Sequence, residues 1–317
     1  MRTAHGFYHE LGRCAYPQHA RSYWREQASS GCATGTLSGN DTRYFDPDSA
    51  LGLAMMIDAI VDEGLVDPRN PMLILSATGK TISDAKQHCT GEWPEIVICG
   101  IETPSMHDYP YLQRQAEDAH EHGLRFACTI CAAAAMDRYQ GGPYLGEAPD
   151  IWIVQGSTFR ASTASDAASL GKELWSYFCN ECHHDYDVLR YYSGLWCWAR
   201  QPKQALLWTY AHDPKTKAGD RDCIVRAQGD KFTYAVPRED GTVIPTRGYE
   251  GFVQGIEDCR LLERAEELGL QGDPELTTYM GEVRASVAYP MFRRLVGGPP
   301  VDMGEVTRRL TEMGVTP

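Results

Sequence analysis

The stretch EIVICGIETPSMHDYPYLQRQAEDAHEHGLRFACTI, Glu95 to Ile130, decides the fold. Ile96 to Gly100 is a short apolar run and reads as a strand. Tyr111 to His122 reads as a helix that Gly123 ends. Leu124 to Ile130 is again a short apolar run, so the stretch is strand, helix, strand. That is the repeating unit of a parallel sheet.

The same alternation extends both ways. Towards the N-terminus, Pro71 to Ala77 is apolar enough to be buried on both faces as a strand. Before it, Asp46-Pro47-Asp48 starts a helix with an apolar stripe at Leu53, Met56, Ile57, Ile60 and Val61, and Gly64 takes the left-handed position past its end. Cys32 to Leu37 is a strand, Gln18 to Ser30 a helix ending at Gly31, and Phe7 to Leu11 a first strand. Towards the C-terminus, Asp150 to Gln155, Glu173 to Phe178 and Ala205 to Ala211 complete eight strands, with helices over Ser165 to Leu170 and Asp187 to Ala199.

Eight strands separated by helices predict an α/β fold, a closed (β/α)8 TIM barrel. Beyond them, Asp213 to Asp230 is polar and loop-like. Asp222 to Gln228 and Lys231 to Val236 are expected to pair around Gly229-Asp230. Tyr249 to Leu268 is amphipathic, with Tyr249, Phe252, Val253, Ile256, Cys259 and Leu262 on one face, and is the expected eighth barrel helix. Pro274 to Val287 and Met303 to Met313 form a short C-terminal helical extension. The expected division is a barrel over residues 1–270 and the extension over 271–317.

Composition narrows the function. The chain has 317 residues, 43% hydrophobic and 23% charged, and a formal net charge of −13. An acidic protein repels phosphate, so neither nucleic acid nor an anionic membrane is an expected partner. No apolar run reaches the ~18 residues of a membrane span. The start, Met1 to Leu11, lacks the apolar segment of a signal peptide, which points to the cytoplasm or to a domain of a longer or secreted protein. Eleven cysteines spread over the chain suggest reduced, buried thiols. Dinucleotide, Walker, nucleophile-elbow and zincin motifs are absent, and no cofactor is expected. Oligomeric state is not legible.

Four segments resemble a known family. YAVPREDGTVIPTRGYEGFVQGIEDCRLL, Tyr234 to Leu262, resembles a signature of the form YP..DG..PT..WE..REGIEDYRYL. GLWCWARQPKQALLWTYAH, Gly194 to His212, resembles the segment that precedes it. APDIWIV, Ala148 to Val154, resembles the sixth strand, and ICGIETPS, Ile98 to Ser105, a Y-G-x-D-E-P motif on the fourth. The family is glycoside hydrolase family 123, typified by β-N-acetylgalactosaminidases, with its relatives that carry domain of unknown function 4091. The resemblance spans roughly residues 7 to 268 and implies a carbohydrate substrate. The family's β-sandwich ahead of the barrel is absent here. In the family, the fourth-strand Asp steadies the attacking 2-acetamido group and the following Glu is the acid/base. Aligned on Pro104, those positions hold Glu102 and Thr103. A threonine hydroxyl does not protonate a leaving group near neutral pH.

Glycoside hydrolysis generally uses two carboxyl groups, and a barrel places its chemistry just past the strand C-termini. Glu102 fits that position best and is the first catalytic candidate. Glu181, after the seventh strand, is the second, with Glu10, Asp41 and Asp213 as alternatives. Tyr8, Tyr177, Trp208 and Tyr210 near strand ends, with Glu10 and Asn180, are the candidates for substrate binding, because a sugar offers an apolar face and a polar rim. Trp152 and Trp175 sit earlier in their strands and read as core. The pairs Cys128/Cys131 and Cys179/Cys182, the latter followed by His183 and His184, have zinc spacing. They belong to non-adjacent strands, so buried or loop thiols are the plainer reading, and no metal is expected. Three readings stay open: a glycosidase, a non-catalytic carbohydrate-binding barrel, and a structural barrel.

Overall fold

Period-two burial along each strand sorts this chain into two apolar layers. Leu73, Val97, Cys99, Ala127, Ile151, Ile153, Trp175 and Leu206 pack against one another as one cluster, with Leu75 and Tyr177 at its edge. Their alternates, among them Phe7, Leu37, Ile74, Ile98, Phe126, Trp152, Val154 and Leu207, belong to a second and larger cluster shared with the helices. Two layers separated by one ring of strands are the interior and outer shell of a closed barrel. The computed structural model describes residues 3–8, 17–38, 45–46, 49–67, 69–178, 185–207, 234–287 and 301–315.

The ring consists of β1 (Ala4–Tyr8), β2 (Thr34–Ser38), β3 (Met72–Leu75), β4 (Ile96–Glu102), β5 (Arg125–Thr129), β6 (Ile151–Gln155), β7 (Glu173–Phe178) and β8 (Gln204–Leu207). They pair in chain order, and β8 closes on β1. Every ladder of the ring is parallel. Helices α1 (Ala20–Ser29), α2 (Ser49–Asp62), α3 (Gly79–Lys86), α4 (Tyr109–Glu121) and α5 (Thr163–Ser169) lie between successive strands. Between β7 and β8 come α6 (Tyr186–Tyr191), a π turn (Tyr192–Trp196) and α7 (Cys197–Arg200). A two-stranded antiparallel hairpin, β9 (Ala235–Pro237) and β10 (Val243–Pro245), precedes α8 (Arg247–Leu270). The C-terminal extension is α9 (Pro274–Ser286) and α10 (Met303–Glu312). Among the described residues, no helix is long and apolar enough to cross a membrane.

The structure corrects several sequence expectations. β1 spans Ala4–Tyr8 and so starts three residues before the expected Phe7, because two of its working residues are not apolar; the expected remainder, 9–11, lies outside the described residues. His5 is buried with its Nε2 donating to the Ser193 carbonyl at 2.8 Å. Burial lowers its pKa to about 4, so the ring is neutral at pH 7. Gly6 lies where β1 meets β2, and a Cβ there would fall 1.8 Å from the Thr34 carbonyl oxygen. Helix α3 was not anticipated, since its only apolar side chains are Ile82 and Ala85, too short a stripe to register. The β5–β6 connection carries three short 3-10 turns instead of an α-helix. Val236 pairs with Ile244 of β10; the expected pairing with Asp222 to Gln228 falls on residues outside those described.

These contacts predict opposite fates for two glycines. Gly6→Ala drives a methyl group into backbone between two buried strands and is expected to cost about 3 kcal/mol or more. At Gly281 in α9, an added Cβ meets nothing within 4 Å, so Gly281→Ala should gain up to ~1 kcal/mol of helix propensity. Urea midpoints decide it: Gly6→Ala at wild-type stability would mean that β1 does not sit against β2 as described.

The N-terminal end of the barrel is closed by charge. The Glu173 carboxylate accepts from the Trp175 indole at 2.5 Å, Arg125 at 3.1 Å and Lys203 at 3.1 Å. Burial pushes the Glu173 pKa up, but these donors together hold it below the ordinary value. A depressed folded pKa stabilises above the unfolded pKa and is lost as pH falls through the folded one. The stability gap between wild type and Glu173→Gln should therefore be full at pH 7 and shrink below pH ~4. A gap that widens in acid would contradict the sign.

The segment that carries the family resemblance, Tyr234 to Leu262, is a packing device. Tyr234 is buried against Phe7, with ring centroids 5.7 Å apart. Thr246 caps α8 by accepting from the Tyr249 N–H at 3.2 Å. The Tyr249 hydroxyl is 2.8 Å from both Glu26 carboxylate oxygens on α1. Gly251 and Gly255 let α6 and the π turn touch α8: added Cβ atoms would lie 2.2 Å from the Tyr186 carbonyl oxygen and 2.0 Å from Ser193 Oγ.

Candidate functional site

The strand C-termini gather where β4 departs from regular pairing. Cys99 pairs with Ala127, and two residues further on Thr129 faces Glu102 rather than Ile101. One extra residue on β4 makes a β-bulge, a feature common at barrel rims and beside active sites. The bulge brings Glu102 into register with Thr129, a buried residue at the end of β5.

The next residue is strained. Thr103 has φ 47°, a left-handed conformation that a β-branched side chain rarely adopts. Its N–H donates to the Thr129 carbonyl at 2.8 Å, and its side chain is exposed. The turn that follows is rigid. Asp108 accepts from the Ser105 N–H and hydroxyl, both at 2.8 Å, and these bonds hold its carboxyl below the usual range.

Strain recurs on this face. Among the described residues, four non-glycine residues have positive φ: Ser76, Thr103, Gln140 and Gln201. Ser76 directly follows β3 and Thr103 directly follows β4, while Gln140 lies in the β5–β6 connection. Only Gln201, at the end of α7, belongs to the other side. Left-handed residues persist where surrounding structure enforces them, and they concentrate at ligand sites.

The structure places the anticipated residues unevenly. Glu102 ends β4 and Tyr8 ends β1, paired with Thr36. Tyr177, on β7, is half-buried and packs at the edge of the interior cluster. Glu10, Asp41, Asn180, Glu181, His183, His184, Trp208, Tyr210 and Asp213 lie outside the described residues. Phe178 is buried and stacked on Tyr192 at 5.0 Å, and Asp185 caps α6 by accepting from the Asp187 and Val188 N–H groups. Trp152 and Trp175 are fully buried, as expected of core residues. Of the zinc-spaced cysteines, Cys128 is buried with its thiol 3.2 Å from the Ile101 carbonyl, and Cys179 and Cys182 lie outside the described residues.

Two groups on this face went unnoticed in the sequence. Gln155, the last residue of β6, pairs with Tyr177 and is half-buried. A polar residue directly after IWIV was the available signal. Tyr139 and Gln140 were hidden in a connection with no periodicity. Tyr139 stacks on Tyr109, at the start of α4, with centroids 5.3 Å apart and an interplanar angle of 17°.

No protein-family model matches the chain, and no curated protein matches it. Among solved structures, malate synthase from Haloferax volcanii, in a pyruvate/acetyl-CoA ternary complex, is similar over 90% of this chain and 98% of its own, at 11% identity and a TM-score of 0.39. The carboxyl transferase domain of Rhizobium etli pyruvate carboxylase, with 3-bromopyruvate, is similar over 85% of this chain and 54% of its own, at 11% identity and a TM-score of 0.29. No activity is carried from either to this chain.

Proposed function

We propose that the chain is a glycoside hydrolase-like barrel that acts on a carbohydrate at the C-terminal ends of its strands, with Glu102 as an essential carboxylate. One observation carries this reading: the β4 bulge and the left-handed Thr103 coincide at Glu102. A bulge and a strained turn at one strand end hold the backbone of a carboxylate-bearing residue in a fixed register at the barrel mouth. The resemblance of Ile98 to Ser105 to the fourth-strand motif of glycoside hydrolase family 123 selects the chemistry.

Where two enzyme carboxyl groups cleave a glycosidic bond, one puts a proton on the leaving oxygen and the other acts as a carboxylate on the opposite side of the sugar. Glu102 takes one of these roles. Thr103 takes neither, so the second carboxyl comes from another strand, with Glu181 after β7 as the candidate.

A second reading has its own support. Thr103 stands with an exposed side chain where the family has its acid/base, as in a barrel that binds sugar without cleaving it. A panel of aryl glycosides and oligosaccharides, β-N-acetylgalactosaminides included, separates the two. Turnover supports the hydrolase. Calorimetric binding without turnover supports the binding barrel. Neither binding nor turnover removes the carbohydrate reading.

A further inference from the structure

We propose that the tip of the β5–β6 connection, Tyr139 and Gln140, is a subsite for a neutral pyranose ring beside the Glu102 strand end; this rests on the carbohydrate reading above. The connection leaves the C-terminal end of β5 and reaches β6 without an α-helix. Its middle is a tight hairpin. The Tyr139 N–H donates to the Pro143 carbonyl at 2.8 Å, the Gly142 N–H donates to the Tyr139 carbonyl at 2.7 Å, and Arg138 bridges Tyr144.

Gln140, at φ 49° and ψ 35°, and Gly141, at φ 75°, form the two central positions. Both central positions of this turn type require positive φ, which favours Asn, Asp or Gly. Glutamine breaks that preference at an exposed tip where core packing does not demand it. Its longer side chain does something that a turn residue need not do: the amide Nε2 donates to the Tyr139 hydroxyl at 3.2 Å.

The tip is braced. Arg138 lies 4.1 Å over the Tyr144 ring and donates to the Tyr144 hydroxyl at 2.7 Å and to the Gly142 carbonyl at 2.9 Å. Tyr139 is half-buried, with Tyr109 stacked against it. Tyr109 opens α4, directly after the rigid turn that leaves β4. The backbone bond from Thr103 to Thr129 ties the same two connections together at their base. An aromatic surface with an amide at its edge thus stands at the β4/β5 side of the barrel mouth.

A pyranose fits such a surface. Its axial C–H face packs on an aromatic ring, and its hydroxyl rim takes hydrogen bonds from a neighbouring amide. The ligand is neutral rather than acidic, for two reasons. Arg138 is already engaged by Tyr144 and Gly142. The chain as a whole carries −13 and repels polyanions.

The test is calorimetric titration of wild type, Gln140→Asn and Tyr139→Ala with cello-, chito-, malto- and galacto-oligosaccharides and with oligogalacturonate, alongside melting temperatures. Asn suits the left-handed position and keeps the amide but is one methylene shorter. Both variants are expected to bind the neutral oligosaccharide at least 10-fold more weakly, while Gln140→Asn melts at or above the wild-type temperature. Unchanged neutral-sugar binding in both variants overturns the subsite alone. So does a Gln140→Asn that loses binding and melting temperature together, since that residue would then be holding the fold. A wild type that prefers oligogalacturonate overturns the assigned chemistry. A wild type that binds no oligosaccharide overturns the carbohydrate reading and the subsite with it.

Discussion

Arg190→Ala is expected to lower folding stability by about 3–5 kcal/mol, the range for removing one partner of a buried ion pair. Asp258, on α8, is nearly enclosed, with 4% of its side chain exposed. It accepts from Arg190 Nε at 2.5 Å and from a second guanidinium nitrogen at 3.0 Å. The surroundings cannot relax around a lone carboxylate, because Gly251 and Gly255 hold α6 and the π turn in backbone contact with α8. The reverse truncation is milder. Arg190 keeps 24% exposure, so Asp258→Ala leaves a guanidinium that can turn its charge to water. Replacing both by apolar residues, Arg190→Met with Asp258→Leu, removes the desolvation problem and should lie near wild type. Urea denaturation of the three variants decides the matter. A loss below ~1 kcal/mol for Arg190→Ala would show that Asp258 reaches water or another donor. A double variant as unstable as Arg190→Ala would show that shape, not charge, holds these helices.

Much of the barrel was readable because its two layers impose a simple pattern. Glu173 to Phe178 forms β7 with the expected bounds, since Trp175 faces the interior while Phe178 faces the helices. The stripe on α2 was equally plain: Leu53, Met56, Ile57 and Ile60 are fully buried, and Gly64 has φ 75° just past its end. What escaped depends on partners distant in sequence. His5 reads as polar until its ring N–H donates a hydrogen bond to the Ser193 carbonyl, 188 residues away. The bulge at Glu102 is invisible in ICGIE, because alternation along one strand does not reveal which residue its neighbour will skip. Strand-end position was legible: Glu102 ends β4 and Tyr177 lies one residue before the end of β7, as expected. The left-handed Gln140 was not legible, since nothing in the local sequence marks a backbone angle that glutamine normally avoids.

That backbone strain bears directly on the largest expected effect on activity. With a cleavable glycoside found for the wild type, Glu102→Gln should lower turnover about 100-fold or more. Glutamine keeps the size and hydrogen-bonding outline of glutamate but neither accepts the catalytic proton nor carries the negative charge that steadies a developing cation. The loss should fall on kcat and on kcat/KM alike, because the missing interaction exists only in the transition state. Sugar binding should persist, since the aromatic and amide groups of the rim are untouched. One limb of the pH–rate profile should also disappear with the titrating group. Three results are informative. Full activity in Glu102→Gln would detach the bulge from catalysis and leave it as a fold feature of the rim. A rise in KM with kcat unchanged would make Glu102 a binding residue. A 100-fold loss with binding intact would mean that the bulge at β4 holds the reacting carboxylate. The strain at Thr103 would then have a function, because a turn that fixes the backbone one residue from the carboxylate limits how far that group can wander between turnovers.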